Sequence, residues 1–214
     1  MDGTLHDTEG LYQVALQQAV QAVGFAVTDA FCHSLIGIPA VECNAMLREH
    51  LGPDFPFANY HRRYREHLDS AFATAVPLKT GASELLAALA RHGLKTAVAT
   101  SASRHSAETQ LARSGLRAHL PVVVTRDDVA RGKPYPDLFL RAATLLDVAP
   151  EHCLAVEDSL NGIRAAHAAG MMPVMVPDLL VPTPEIRAIC VRIALDLHEV
   201  QALISAHAAG GPRG

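Results

Sequence analysis

The chain has 214 residues, half of them hydrophobic, and a formal net charge of −4. That length holds one large domain, or a core domain with a modest insert. The acidic balance and the absence of tryptophan argue against a nucleic-acid partner, which calls for basic patches and stacking platforms. No apolar run is long enough to cross a membrane, and the polar start Met1-Asp2-Gly3 is unlike a secretion leader, so a cytoplasmic protein without a membrane partner is expected.

From Thr8 to about Ala75 the pattern predicts helices and no clear strand. Leu11, Ala15, Gln18, Ala19 and Ala22 fall on one stripe closed by Gly24, and Arg62 to Ala73 reads as a second helix. From Lys79 onward helix and strand alternate. Helices are predicted over Gly81 to His92, Arg104 to Ser114, Pro136 to Leu146 and Asn161 to Ala169. Between them, Leu94 to Thr100, Pro121 to Thr125, Cys153 to Val156 and Met171 to Val176 are short continuous apolar runs. Such runs separated by helices indicate a doubly wound parallel sheet covered on both faces. An α/β core of residues 1–7 and 76–214 is therefore expected, with an α-helical insert over 8–75. The small, Gly-rich tail from Ala206 to Gly214 is expected to fray. Cys32, Cys43, Cys153 and Cys190 form no CxxC pair and are expected reduced and buried. The twelve histidines are scattered and read as surface or satisfied core residues.

Ligands of an open parallel sheet gather at the carboxyl ends of its strands. There the sequence places Thr100 and Ser101 after one strand, Thr125-Arg126-Asp127-Asp128 and then Gly132-Lys133-Pro134 after the next, and Glu157-Asp158-Ser159 after a third. A hydroxyl and a lysine hold phosphate oxygens, and carboxylates hold a hard divalent cation.

The start, Met1-Asp2-Gly3-Thr4-Leu5-His6-Asp7-Thr8-Glu9, makes the pattern specific. With Thr100, Gly132-Lys133-Pro134 and Val156-Glu157-Asp158-Ser159 coming after it in order, the chain resembles the haloacid dehalogenase-like phosphatases, signature D-x-D-G-T-x-x-D-T-E. The stretches Gly132 to Pro136 and Val156 to Gly170 resemble the subgroup with a small helical cap, which includes β-phosphoglucomutase and phosphoglycolate phosphatase. The resemblance implies a Rossmann-like core with a cap over 8–75, a Mg²⁺ cofactor and hydrolysis of a small phosphorylated metabolite through an aspartyl-phosphate. It implies Asp2 as general acid and base, Thr100 and Ser101 as phosphate-binding residues, and Lys133 as the cation that neutralises the phosphate. Asp158, Glu157 and the backbone carbonyl of Asp2 would hold the metal. In this pattern the nucleophilic aspartate falls immediately before Met1. The reading frame is therefore expected to extend upstream through an apolar strand, and the chain as written to lack activity.

Each residue also has an ordinary structural role open to it. Asp2 suits a polar chain start, with Asp7 and Thr8 capping the next helix. Thr100 suits a strand end, Lys133 a solvated loop, and Glu157 and Asp158 the first turn of a helix. The basic run His61-Arg62-Arg63-Tyr64-Arg65 reads as a solvated helix face. Three rival functions stand beside the phosphatase. A phosphomutase would carry an arginine just after the glycine of a loop resembling Ile36-Gly37-Ile38-Pro39, where this chain has Ala40 in the matching place. A dehalogenase would lack Asp2. A non-catalytic phosphate- or partner-binding module would need no nucleophile. Neither the individual substrate nor the oligomeric state is encoded legibly.

Overall fold

The computed structural model describes residues 1–36, 38, 40–73 and 76–210. The chain divides into two compact units, Thr8–Ala75, and Met1–Asp7 with Val76–Gly214.

The first unit carries α1 (Glu9–Ala22), α2 (Asp29–Ser34), α3 (Ala40–Leu51) and α4 (Phe57–Phe72), and no strand among its described residues. Ala19, Val20, Leu35, Leu47, Phe55 and Tyr60 form its core. The predicted stripe on α1 is rotated: Gln18 and Ala22 are not buried, and Ala15, Ala19 and Val20 are the buried line. A stripe inferred from alanine and glutamine is weak, and the bulkier Val20 decides which face turns inward. α4 begins five residues before the predicted Arg62, because Phe57 and Tyr60 join the aromatic core around Phe55. The predicted basic run is solvated, with Arg62 and Arg63 both paired to Glu66 at the surface. Gly37 and Pro39 of the loop used to weigh the phosphomutase lie outside the described residues.

In the second unit α5 (Ala82–Arg91), β1 (Ala97–Ala99), α6 (Arg104–Arg113), β2 (Val122–Val124) and α7 (Asp137–Leu146) are followed by β3 (Leu154–Glu157), α8 (Leu160–Ala168) and β4 (Met172–Met175). α9 (Pro184–Ile189), β5 (Arg192–Ile193) and α10 (Leu197–Gly210) complete it. Every strand pairing is parallel: β1 with β2 in one sheet, and β3-β4-β5 in another. The sequence missed α9, β5 and α10: α9 has six residues and β5 two, and the fourteen residues of α10 run into the small Ala- and Gly-rich tail without a clear apolar stripe. The expected fraying from Ala206 is also corrected as far as Gly210, which ends α10; residues 211–214 lie outside the described residues.

Both faces of each sheet are covered. Val98 and Val123 pack on Leu86 of α5 and on Ala107 and Leu111 of α6. The opposite face of the same strands, with Val124, packs on Leu138 and Ala142 of α7. In the larger sheet Val174 and Val176, with Leu154 and Val156, face Ala82 and Leu85 of α5 and Leu197 and Val200 of α10. Ala155 faces Phe139 and Ala143 of α7 and Ala165 and Ala166 of α8. Thus α5 and α7 each contribute side chains to both sheets and bind them into one doubly wound layer structure. Alternate residues of each strand point to opposite faces, so the continuous apolar runs are a direct consequence of this double cover.

The strands are shorter than predicted at their amino ends. Leu94 is exposed, and Lys95 turns away to donate to the Leu146 and Asp147 carbonyls. All four cysteines are free, but only Cys32 is buried; Cys43, Cys153 and Cys190 are partly exposed.

Candidate active site

The site is built at the carboxyl ends of β1 and β3. Residues 1–6 form a closed turn: the Met1 carbonyl accepts from Leu5 N at 2.8 Å and His6 N at 3.0 Å, and the His6 carbonyl accepts from Gly3 N at 2.9 Å. Gly3 has φ of 68°, and a Cβ there would stand 2.3 Å from Asp158 Oδ2. Only glycine takes that conformation cheaply and admits the carboxylate. Thr4 Oγ1 donates to Asp158 Oδ1 at 2.5 Å. The Asp2 turn and the end of β3 are therefore locked together.

Lys133 joins the two sheets at the same edge. Its Nζ donates to the Ala99 carbonyl at 3.1 Å and forms a buried ion pair with Glu157 Oε1. The other Glu157 oxygen accepts from Ser159 Oγ at 3.0 Å. A Cβ on Gly162, one turn into α8, would lie 2.0 Å from that oxygen, so the helix approaches the carboxylate as only glycine permits. Burial works against the charge on Glu157. The Lys133 ammonium, the amino group of Met1 and the hydrogen bonds from Lys133 and Ser159 outweigh it and hold the carboxylate below its ordinary pKa. Asp158 goes the other way: burial first, then the Glu157 charge beside it, push its pKa up to about 6. A carboxylate so placed gains most from a cation.

Thr100 is buried, and its Oγ1 accepts from Ala102 N at 3.1 Å, which shapes the turn into α6. Ser101 is exposed in that turn, and Ser103 caps α6 by accepting from Ser106 N at 3.3 Å. Asp127, also on the strand-end edge, accepts from the Arg104 backbone N–H at 2.8 Å, and Asp128 pairs with the Arg104 guanidinium. Those two acids thus organise the loop after β2.

As a test of the implied metal, the donor chemistry fits in part. Asp158 offers a hard, electrostatically unsatisfied oxygen, whereas both Glu157 oxygens are engaged by Lys133 and Ser159. Among the described residues no three His, Cys, Asp or Glu side chains converge on one point.

Sequence reasoning attached no role to Thr4, although it stands within the starting motif. It also missed Gln110, a polar residue 1 % exposed inside α6 that hydrogen-bonds the equally buried His6. A polar residue at a core position of a helical pattern was the available signal.

A doubly wound core with a hydroxyl, a lysine and an acidic pair at its strand ends defines a phosphoryl-handling α/β hydrolase. The family model for the haloacid dehalogenase-like hydrolases matches residues 1–176, and the chain belongs to that family. It is 32% identical over 171 residues to the phosphorylated carbohydrates phosphatase of Thermotoga maritima, covering 80% of this chain and 79% of that one. It superposes on the crystal structure of CbbY from Rhodobacter sphaeroides in complex with phosphate with a TM-score of 0.81, 30% identity and coverage of 94% and 93%. A Thermotoga maritima protein whose crystal structure bears the name putative beta-phosphoglucomutase aligns with a TM-score of 0.81, 29% identity and 96% coverage of both chains. No helix among the described residues is long and apolar enough to span a membrane.

Proposed function

We propose that this hydrolase is a Mg²⁺-dependent phosphatase of a small phosphorylated carbohydrate. The observation that carries the reading is the linked set at the strand ends: Asp2 on its locked turn, Thr100 at the end of β1, Lys133 across to Glu157, and Asp158. The names of the relatives support the substrate class, since one is a phosphorylated carbohydrates phosphatase and another was crystallised with phosphate.

In the family pattern, attack on phosphorus belongs to the first aspartate of D-x-D, and Asp2 is the second. Asp2 protonates the departing alkoxide and later takes a proton from the water that frees the enzyme. Thr100 Oγ1 and the Ser101 region hold phosphoryl oxygens. Lys133 supplies a fixed positive charge to those oxygens, and Glu157 keeps the ammonium in place rather than leaving it to sweep the loop. Asp158 and the Asp2 carbonyl are the groups that would hold Mg²⁺, with Glu157 contributing through its position beside them. The ion would neutralise phosphate charge as the ester bond breaks.

Phosphate release from a panel of sugar phosphates by the full-length protein, with Mg²⁺ and then with excess chelator, tests the reading. Hydrolysis that stops in chelator is expected. Rates that persist without a divalent cation would refute the metal dependence. Interconversion of hexose phosphate isomers faster than phosphate release would favour the phosphomutase.

A further inference from the structure

We propose that His6 is a positioning residue for the acid–base step, tying the turn that carries Asp2 to the helix that comes after the Thr100 loop. The inference rests on the phosphatase reading and adds a residue to its machinery.

His6 is fully buried and Gln110 is 1 % exposed. Gln110 shares α6 with Ala107 and Leu111, which belong to an apolar core cluster. A polar pair in such surroundings costs stability unless every donor and acceptor is met, and an apolar pair would fill the space more cheaply. Here both side chains have polar partners. Gln110 Nε2 donates to Ser106 Oγ at 3.0 Å, so its Oε1 is the atom 3.3 Å from His6 Nδ1. His6 Nε2 lies 3.0 Å from Ser114 Oγ, which also reaches the Leu111 carbonyl at 3.2 Å. Both ring nitrogens are held by α6 and the residue that ends it.

The backbone of the same residue closes the catalytic turn. His6 N donates to the Met1 carbonyl at 3.0 Å, and the His6 carbonyl accepts from Gly3 N at 2.9 Å, so Asp2 lies inside a ring that His6 completes. α6, the other end of the clamp, begins at Arg104, directly after the Thr100–Ser103 turn. The proton donor and the phosphate-binding hydroxyl are thus indexed to one another through one imidazole. Displacing a catalytic group by about 1 Å costs on the order of a hundredfold in rate, so such indexing bears on turnover.

The test compares two esters: the sugar phosphate turned over fastest in the panel, and p-nitrophenyl phosphate, whose leaving group departs without a proton. The variants are H6L and H6L/Q110L, the second removing both buried polar partners together. For H6L we expect kcat on the sugar phosphate to fall by about tenfold or more, a part of what general acid catalysis supplies. KM should stay near wild type, and kcat/KM on p-nitrophenyl phosphate, which ends at ester cleavage and leaves out the base step that both esters share, should be much less affected. H6L/Q110L should regain most of the lost melting temperature without regaining the sugar phosphate rate. Equal losses of kcat/KM on both esters, or a rate that recovers with stability, would show a merely structural histidine and overturn the proposal. Where H6L does not fold, H6L/Q110L carries the same two-ester comparison. A full-length wild-type protein that hydrolyses neither ester overturns the phosphatase reading itself and the inference with it, an outcome distinct from an active full-length wild type with indifferent variants.

Discussion

Gly162→Ala sets two effects of opposite sign against each other. Gly162 lies inside α8, where alanine is favoured over glycine by about 1 kcal/mol. By propensity alone the substitution stabilises. The added Cβ would nevertheless stand 2.0 Å from Glu157 Oε2, 2.2 Å from Cδ and 2.6 Å from Oε1. To reach an ordinary 3.4 Å contact the carboxylate must move by about 1.4 Å, the difference between 3.4 and 2.0. Glu157 is buried and its partners are fixed, Lys133 on one oxygen and Ser159 on the other, so a shift of that size breaks both interactions. Breaking a buried ion pair costs roughly 3–5 kcal/mol, which leaves a net loss of about 2–4 after the helix gain. For a chain of this size that lowers the melting temperature by about 5–15 °C. Thermal unfolding followed by circular dichroism, together with phosphate release at 25 °C, reads both consequences. A melting temperature equal to or above wild type, with unchanged kcat, would refute the argument that α8 approaches β3 closely in order to seat Glu157.

Asp158→Asn removes the carboxylate that burial and Glu157 have left in need of a cation, and phosphate release should fall by roughly a hundredfold or more at saturating Mg²⁺; a rate within a few fold of wild type would contradict its role. Lys133→Met should destabilise by about 3–5 kcal/mol in urea unfolding, because it strands the Glu157 charge. Lys133→Met with Glu157→Gln should restore much of the stability and none of the activity. Acid should weaken the fold through His6, whose pKa burial lowers from 6.5 to about 4. Between those values the unfolded chain binds the proton and the folded one does not, so stability falls as pH drops from about 6.5 toward 4, by up to about 3 kcal/mol. Asp158, raised to about 6, binds its proton earlier in the folded state and contributes with the opposite sign. The difference between wild type and H6L in urea midpoints at pH 7 and pH 4.5 isolates the histidine, and parallel pH dependences in the two proteins would exclude its contribution.

Where the sequence was legible, the reason was double cover of the sheet. Val122–Val124 and Leu154–Glu157 are continuous apolar or nearly apolar runs because helices pack on both faces, and glycines punctuate the helices between them. Their chemistry was legible for the same reason: a parallel sheet gathers the loops at its strand ends on one edge, so Thr100, Lys133, Glu157 and Asp158 were readable as neighbours from their positions in the chain. The pairings within that edge were not legible. Nothing in Glu157-Asp158 says that the first carboxylate faces a lysine twenty-four residues earlier while the second faces Thr4. Those assignments depend on α8 passing close enough to orient Glu157, which the small residue at 162 permits but does not announce. His6 was masked by the ordinary rule that a lone histidine is a satisfied core residue. It is satisfied, and only its partners on α6, distant in sequence, reveal what it connects.

The most direct test of the account is phosphate release from a sugar phosphate in Mg²⁺ by the full-length protein and its Asp2→Asn variant, measured side by side with their melting temperatures. The account predicts hydrolysis by the wild type and a loss of about a hundredfold or more in kcat for the variant, with the fold intact. A variant that melts like the wild type and releases phosphate at the wild-type rate would contradict it.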